Sequence, residues 1–198
     1  GWAVELLLVD NASTDDTPEV IRAFDHPEMI VRVIREEKQG VDYARNRGVS
    51  EAHGDVLLFT DDDVRLRSDW IEEMATPILQ GEADAIAGGV ELANELQADW
   101  MTDRHRSMLA STERIDPGDP EVIVGANMAL SGAVFERIPG FDPELGPGRL
   151  GLGGDTLLVL QMREAGFRIE AALDIAVEHH PDASRLEWGA WDDAARKS

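Results

Sequence analysis

The chain has 198 residues, 43% of them hydrophobic, with 40 acidic against 18 basic side chains and a net charge of −22. That length suits one domain with a real core. The absence of cysteine excludes disulfides, thiolate catalysis and cysteine-ligated metal, and so acidic a surface argues against nucleic acid as a partner.

In chain order, VELLLVD (4–10) is a short apolar run ending in polar residues, which predicts a buried parallel strand. A turn follows, then a helix with Thr17 as N-cap and Pro18 at its first position. MIVRVIRE (29–36) reads as a second strand. GVDYARNRGVSEAHG (40–54) reads as a helix closed by Gly54, and DVLLFT (55–60) as a strand. SDWIEEMATPIL, with Ser68 as N-cap, predicts a helix, and ADAIAGGVEL (83–92) a strand. Strand and helix alternate to this point, which predicts an α/β fold with a mixed, mostly parallel sheet flanked by helices.

Residues 94–120 read as a helix or lid segment followed by a loop rich in Pro, Gly and Asp. EVIVGANMALS (121–131) is strand-like and interrupted by Gly125, and GAVFERI is a short helix. Residues 139–154 form a long Gly/Pro loop of the kind that is usually functional. DTLLVLQMREAG is an amphipathic helix ending at Gly166. FRIEAAL and IAVEHHP read as two short strands. Residues 1–185 are expected to form one domain and 186–198 a tail. No apolar run is long enough for a membrane helix, and the opening lacks the basic region of a signal peptide. Lysine occurs only at Lys38 and Lys197, a balance that suits high salt, where self-repulsion is screened.

Ligands bind beyond the carboxyl ends of strands in open parallel sheets. Three polar clusters fall at such ends: VDNAST at Asp10, TDDDV at Asp61–Asp63, and VEHHP at His179 and His180. Neighbouring carboxylates at a strand end suit a hard divalent cation, Mg²⁺ or Mn²⁺. In an extended stretch Asp61 and Asp63 share a face while Asp62 points away. A neutral imidazole from His179 or His180 can add a nitrogen ligand. Arg45 offers a planar fork suited to phosphate. Asp155 opens a helix after a Gly-rich loop, where the dipole favours the ionised carboxylate that a general base needs.

The stretches ELLLVDNASTDDT, GVDYARNRGVSEAHGDVLLFTDDDV, GANMALSGAVFERIPGFDPELGPGRLGLGGDTLLVLQMREAGFRI and VEHH, in this order, resemble the family 2 glycosyltransferases of the GT-A fold across residues 4–180. The resemblance implies that Asp10 and Asn11 lie near the nucleotide base. It makes Arg45 the nucleotide- or phosphate-side arginine and Asp155 the catalytic base. Asp61 and Asp63 become the outer residues of a DxD motif, with Asp62 the spacer or a ribose-side contact. His179, with His180 as the near alternative, becomes the late metal-binding histidine. Gly154 stands where the family usually carries Glu beside the base. The family's usual first β–α unit is expected to be missing ahead of Gly1, and such an unfinished sheet invites pairing with another chain, a homo-oligomer.

The activity implied is metal-dependent, inverting transfer of a sugar from a nucleotide-diphospho-sugar to a hydroxyl of a saccharide, lipid-linked or protein acceptor, with Mn²⁺ or Mg²⁺ as cofactor. Such a chain would work in the cytoplasm, at the inner face of the membrane. A nucleotidyltransferase and a non-catalytic nucleotide-sugar- or carbohydrate-binding domain are the alternatives.

Overall fold

A computed structural model describes residues 1–113, 123–145 and 153–186. Its elements are β1 (Val4–Asn11), α1 (Thr17–Arg22), β2 (Met29–Glu36), α2 (Val41–Glu51), β3 (Val56–Thr60), β4 (Val64–Arg65) and α3 (Trp70–Leu79). They continue with β5 (Ala85–Leu92), α4 (Asp103–Met108), β6 (Asn127–Ser131), α5 (Gly132–Phe135), α6 (Gly154–Glu164) and β7 (Ile169–His179). Much of the expected 139–154 loop, the end of the 94–120 segment and nearly all of the 186–198 tail lie outside the described residues.

The strands form a parallel pair, β1–β2, and a five-stranded mixed sheet in the order β3-β6-β5-β7-β4. Within the larger sheet β5 and β7 run parallel, whereas β3–β6, β5–β6 and β4–β7 are antiparallel. The central strands are covered on both faces, and their side chains alternate between two cores. Ala85, Ala87, Met128 and Leu130 pack with Leu158, Val159 and Met162 of α6 and Val134 of α5. Ile86, Val90 and Ala129 pack with Trp70, Met74 and Ile78 of α3.

Four local expectations shift. The α1 N-cap is Asp16, not Thr17, and the α3 N-cap is Asp69, not Ser68. Helix α2 stops at Glu51, because Ala52 is already extended, rather than running to Gly54. The two short strands expected near the end are one strand, β7, with a bulge. Gly88 pairs with Ala172 but Gly89 pairs with Ala176, so Leu173, Asp174 and Ile175 are extra on the β7 side. Gly89 is required there: a Cβ would lie 2.1 Å from the Leu173 carbonyl oxygen. Asn127 closes the bulge from within. Its Nδ2 donates to the carbonyls of Gly89 and Ile175, both at 2.7 Å, and its Oδ1 accepts from Trp70 Nε1 at 2.8 Å.

Candidate active site

Asp155 sits in the first turn of α6. Its Oδ1 accepts from Arg45 Nη1 at 3.0 Å, and its Oδ2 accepts from the backbone N–H of Gly125 at 3.0 Å. The same Nη1 lies 3.4 Å from Asp42 Oδ1, and Arg45 Nη2 lies 3.9 Å from Asp61 Oδ1. One guanidinium on α2 thus meets carboxylates from its own helix, from the turn after β3 and from α6. The guanidinium lies over the Phe141 ring, its Cζ 5.5 Å from the ring centroid. Gly125 makes room for it: a Cβ there would stand 1.7 Å from Nη2.

The electrostatics follow from this crowding. Burial pushes the Asp61 carboxyl above its ordinary range; Arg45 opposes the shift, and the neighbouring Asp63 and Asp155 add to it. Burial likewise pushes Asp42 up, against Arg45 and with Asp155. Three acids share one arginine, so the site carries excess negative charge.

A second contact lies beside the first. Asp61–Asp63 form a tight turn, not a strand, and β4 then folds back against β7 with Val64 opposite His179. The turn still leaves Asp62 exposed while Asp61 and Asp63 are half-buried. The antiparallel pairing brings Asp63 Oδ2 to 3.2 Å from His179 Nε2. His179 is 3% exposed, and its Nδ1 lies 2.8 Å from the Leu109 carbonyl oxygen. A carbonyl only accepts, so Nδ1 carries the hydrogen. In a neutral imidazole, Nε2 then turns a lone pair towards a carboxylate. Two acceptors face to face are satisfied by a proton on Nε2 or by a cation between them. Two carboxylates and an imidazole are a donor set that suits Mn²⁺ or Mg²⁺. Asp61, Asp63 and His179 therefore fit the ion in chemistry, although among the described residues no three such side chains are already gathered into a metal site.

His180 turns elsewhere. Its Nε2 pairs with Glu178, its Nδ1 lies 3.5 Å from Glu95, and its backbone N–H donates to the Asp63 carbonyl at 2.7 Å. Asp10 is buried at the end of β1, bound by Arg35 and by the Ser13 backbone N–H. The Ser13 hydrogen bond and the Arg35 charge hold its carboxyl below the usual range. Asn11 spends its side chain on the loop before α2, accepting from Gly40 N–H at 2.8 Å and donating to the Lys38 carbonyl at 2.6 Å. The contacts of Asp10 and Asn11 stay around the β1–β2 pair, apart from the Arg45 cluster.

Sequence reasoning passed over Asp42, an acid in the first turn of α2. It also passed over the Leu109 carbonyl, which carries no residue-type signal. Gly125 was visible as an interruption in an apolar run.

A sequence model described as glycosyl transferase family 2 matches residues 3–138, a span that includes Asp10, Arg45 and Asp61–Asp63. The chain belongs to glycosyl transferase family 2. This family 2 chain is similar to glycosyltransferase AglE of Haloferax volcanii, at 28% identity over 181 residues, covering 89% of the chain and 56% of that protein. It thus spans little more than half the length of that relative. Among solved structures it resembles the mannosyltransferase PcManGT of Pyrobaculum calidifontis, in complex with GDP-mannose and Mn²⁺ (TM-score 0.68, 21% identity, 96% of this chain and 51% of that one). It also resembles the glucosyl-3-phosphoglycerate synthase of Mycobacterium tuberculosis, in complex with Mn²⁺, UDP-glucose and phosphoglyceric acid (TM-score 0.63, 17% identity, 96% and 64%). These likenesses establish the GT-A fold. Among the described residues no helix is long and apolar enough to cross a membrane.

Proposed function

We propose that this family 2 chain carries the catalytic site of an inverting, metal-dependent glycosyltransferase that moves a sugar from a nucleotide-diphospho-sugar to an acceptor hydroxyl. The observation that carries the proposal is the Arg45 guanidinium, which holds Asp155 with one nitrogen and approaches Asp61 with the other. The base and the diphosphate side of the site are therefore one arginine apart. Asp155 takes the proton of the acceptor hydroxyl while that oxygen attacks the anomeric carbon from the face opposite the leaving group. The bond from that carbon to the diphosphate oxygen breaks, and the configuration inverts.

Asp61, Asp63 and His179 would hold the divalent ion. When bound, it neutralises the charge that develops on the leaving diphosphate. The excess of carboxylates around Arg45 supports this reading, because an anionic donor would otherwise meet a repelling field. Asp10, Asn11 and Asp62 would lie on the nucleoside side. The acceptor would be a saccharide, a lipid-linked sugar or a protein, and the site would face the cytoplasm, at the inner surface of the membrane.

The test is Asp155→Asn, assayed with a panel of UDP-, GDP- and dTDP-sugars and Mn²⁺. Donor binding should persist while transfer is lost. Wild-type turnover in the variant overturns the assignment of the base.

A further inference from the structure

We propose that Asp42 is a positioning residue for Asp155, a second carboxylate brought to the base from helix α2 into space beside the glycine at position 154. The proposal rests on the reading of Asp155 as the general base. Asp42 is 2% exposed. Its Oδ1 shares Arg45 Nη1 with Asp155, at 3.4 Å and 3.0 Å respectively. Its Oδ2 is buried and, among the described residues, has no hydrogen-bond partner. A Cβ on residue 154 would lie 2.8 Å from that oxygen. A side chain at 154 would thus push that carboxylate oxygen from its present place. Position 154 is also where the resemblance leads one to expect Glu, so an acid from α2 occupies the neighbourhood from which that acid is absent.

A buried carboxylate with an unpartnered oxygen works against folding. Its placement is explained by what it does to its neighbours. Asp42 anchors Arg45 from the helix side. Arg45 Nη1 and the Gly125 N–H then fix the two oxygens of Asp155 separately. Because Asp42 competes for the same nitrogen, the guanidinium does not close wholly onto the base. Without the Asp42 charge, Arg45 would be drawn onto Asp155 and Asp61, and the oxygen that must meet the acceptor proton would be masked.

The experiment compares Asp42→Asn, Gly154→Glu, the double variant Asp42→Ala/Gly154→Glu and Asp155→Asn. Each is read for thermal midpoint, for KM of the sugar donor the wild-type enzyme uses, and for kcat. Asp42→Asn should melt at or above the wild-type temperature and keep the donor KM within about threefold. Its kcat should fall at least about tenfold, which is ~1.4 kcal/mol of transition-state stabilisation. Gly154→Glu alone should lose both stability and turnover through its collision with Asp42. The double variant, which moves the acid from α2 to α6, should turn over faster than either single change. An Asp42→Asn enzyme with kcat within about threefold of wild type, or one that loses stability but not kcat, overturns the role of Asp42. So does a double variant no better than Gly154→Glu. If Asp155→Asn is fully active, the base assignment fails instead, whatever Asp42 does.

Discussion

Gly125→Ala displaces Arg45 without altering any charge. The added methyl would stand 1.7 Å from Nη2, 2.3 Å from Cζ and 2.8 Å from Nη1. Ordinary contact begins near 3.4 Å, so Nη2 must retreat by about 1.7 Å. The colliding atoms end a flexible side chain, residue 125 does not use the glycine-only backbone region, and its N–H to Asp155 survives. The fold should therefore hold. The retreat breaks the 3.0 Å contact to Asp155 and lengthens the 3.9 Å approach to Asp61. A hydrogen bond to a charged group contributes about 1.5–3 kcal/mol, which corresponds to a loss of about 10- to 150-fold in kcat/KM. Steady-state transfer kinetics and a melting curve measure the two halves of the claim. A variant with a thermal midpoint within about 2 °C of wild type and kcat/KM within about threefold would show that the place of the guanidinium does not matter.

Asn127→Ala leaves the Gly89 and Ile175 carbonyls and the Trp70 indole N–H without their buried partner. Each unsatisfied group costs about 1–3 kcal/mol, so urea denaturation should show a loss of about 3 kcal/mol or more; a loss under about 1 kcal/mol contradicts the role given to this side chain. His179→Ala should weaken Mn²⁺ binding by at least about tenfold in calorimetry, whereas His180→Ala, whose ring faces Glu178 and Glu95, should change it by less than about twofold. The reverse order would exchange their assignments.

The strands β1 and β2 stand where their apolar runs end in polar residues, and α6 stands where its periodicity and Gly166 put it. These are local signals, and local chemistry answers them. The two-residue strand β4 has no such signal, because it exists only by pairing with β7. It also reverses the reason for the Asp61–Asp63 geometry: a turn, not strand alternation, turns Asp62 outwards. Arg45 and Asp155 were legible as candidates from residue type and position. That they grip one another was not, since they meet from distant parts of the chain. Asp42 was invisible for the same reason: its carboxylate lies against Gly154, distant in the chain.

The bulge in β7 sets the phase of everything downstream of it. Strand side chains alternate, so the parity of an insertion decides which of two adjacent residues faces a given side. Three extra residues at 173–175 place His179, opposite Leu92 and Val64, on the side of Asp63 and leave His180 to the glutamates. Deleting one residue upstream while the bulge keeps its three would put His180 opposite Leu92 without changing either histidine. The choice of the imidazole beside Asp63 is thus written several residues upstream, in a length rather than in a chemical group.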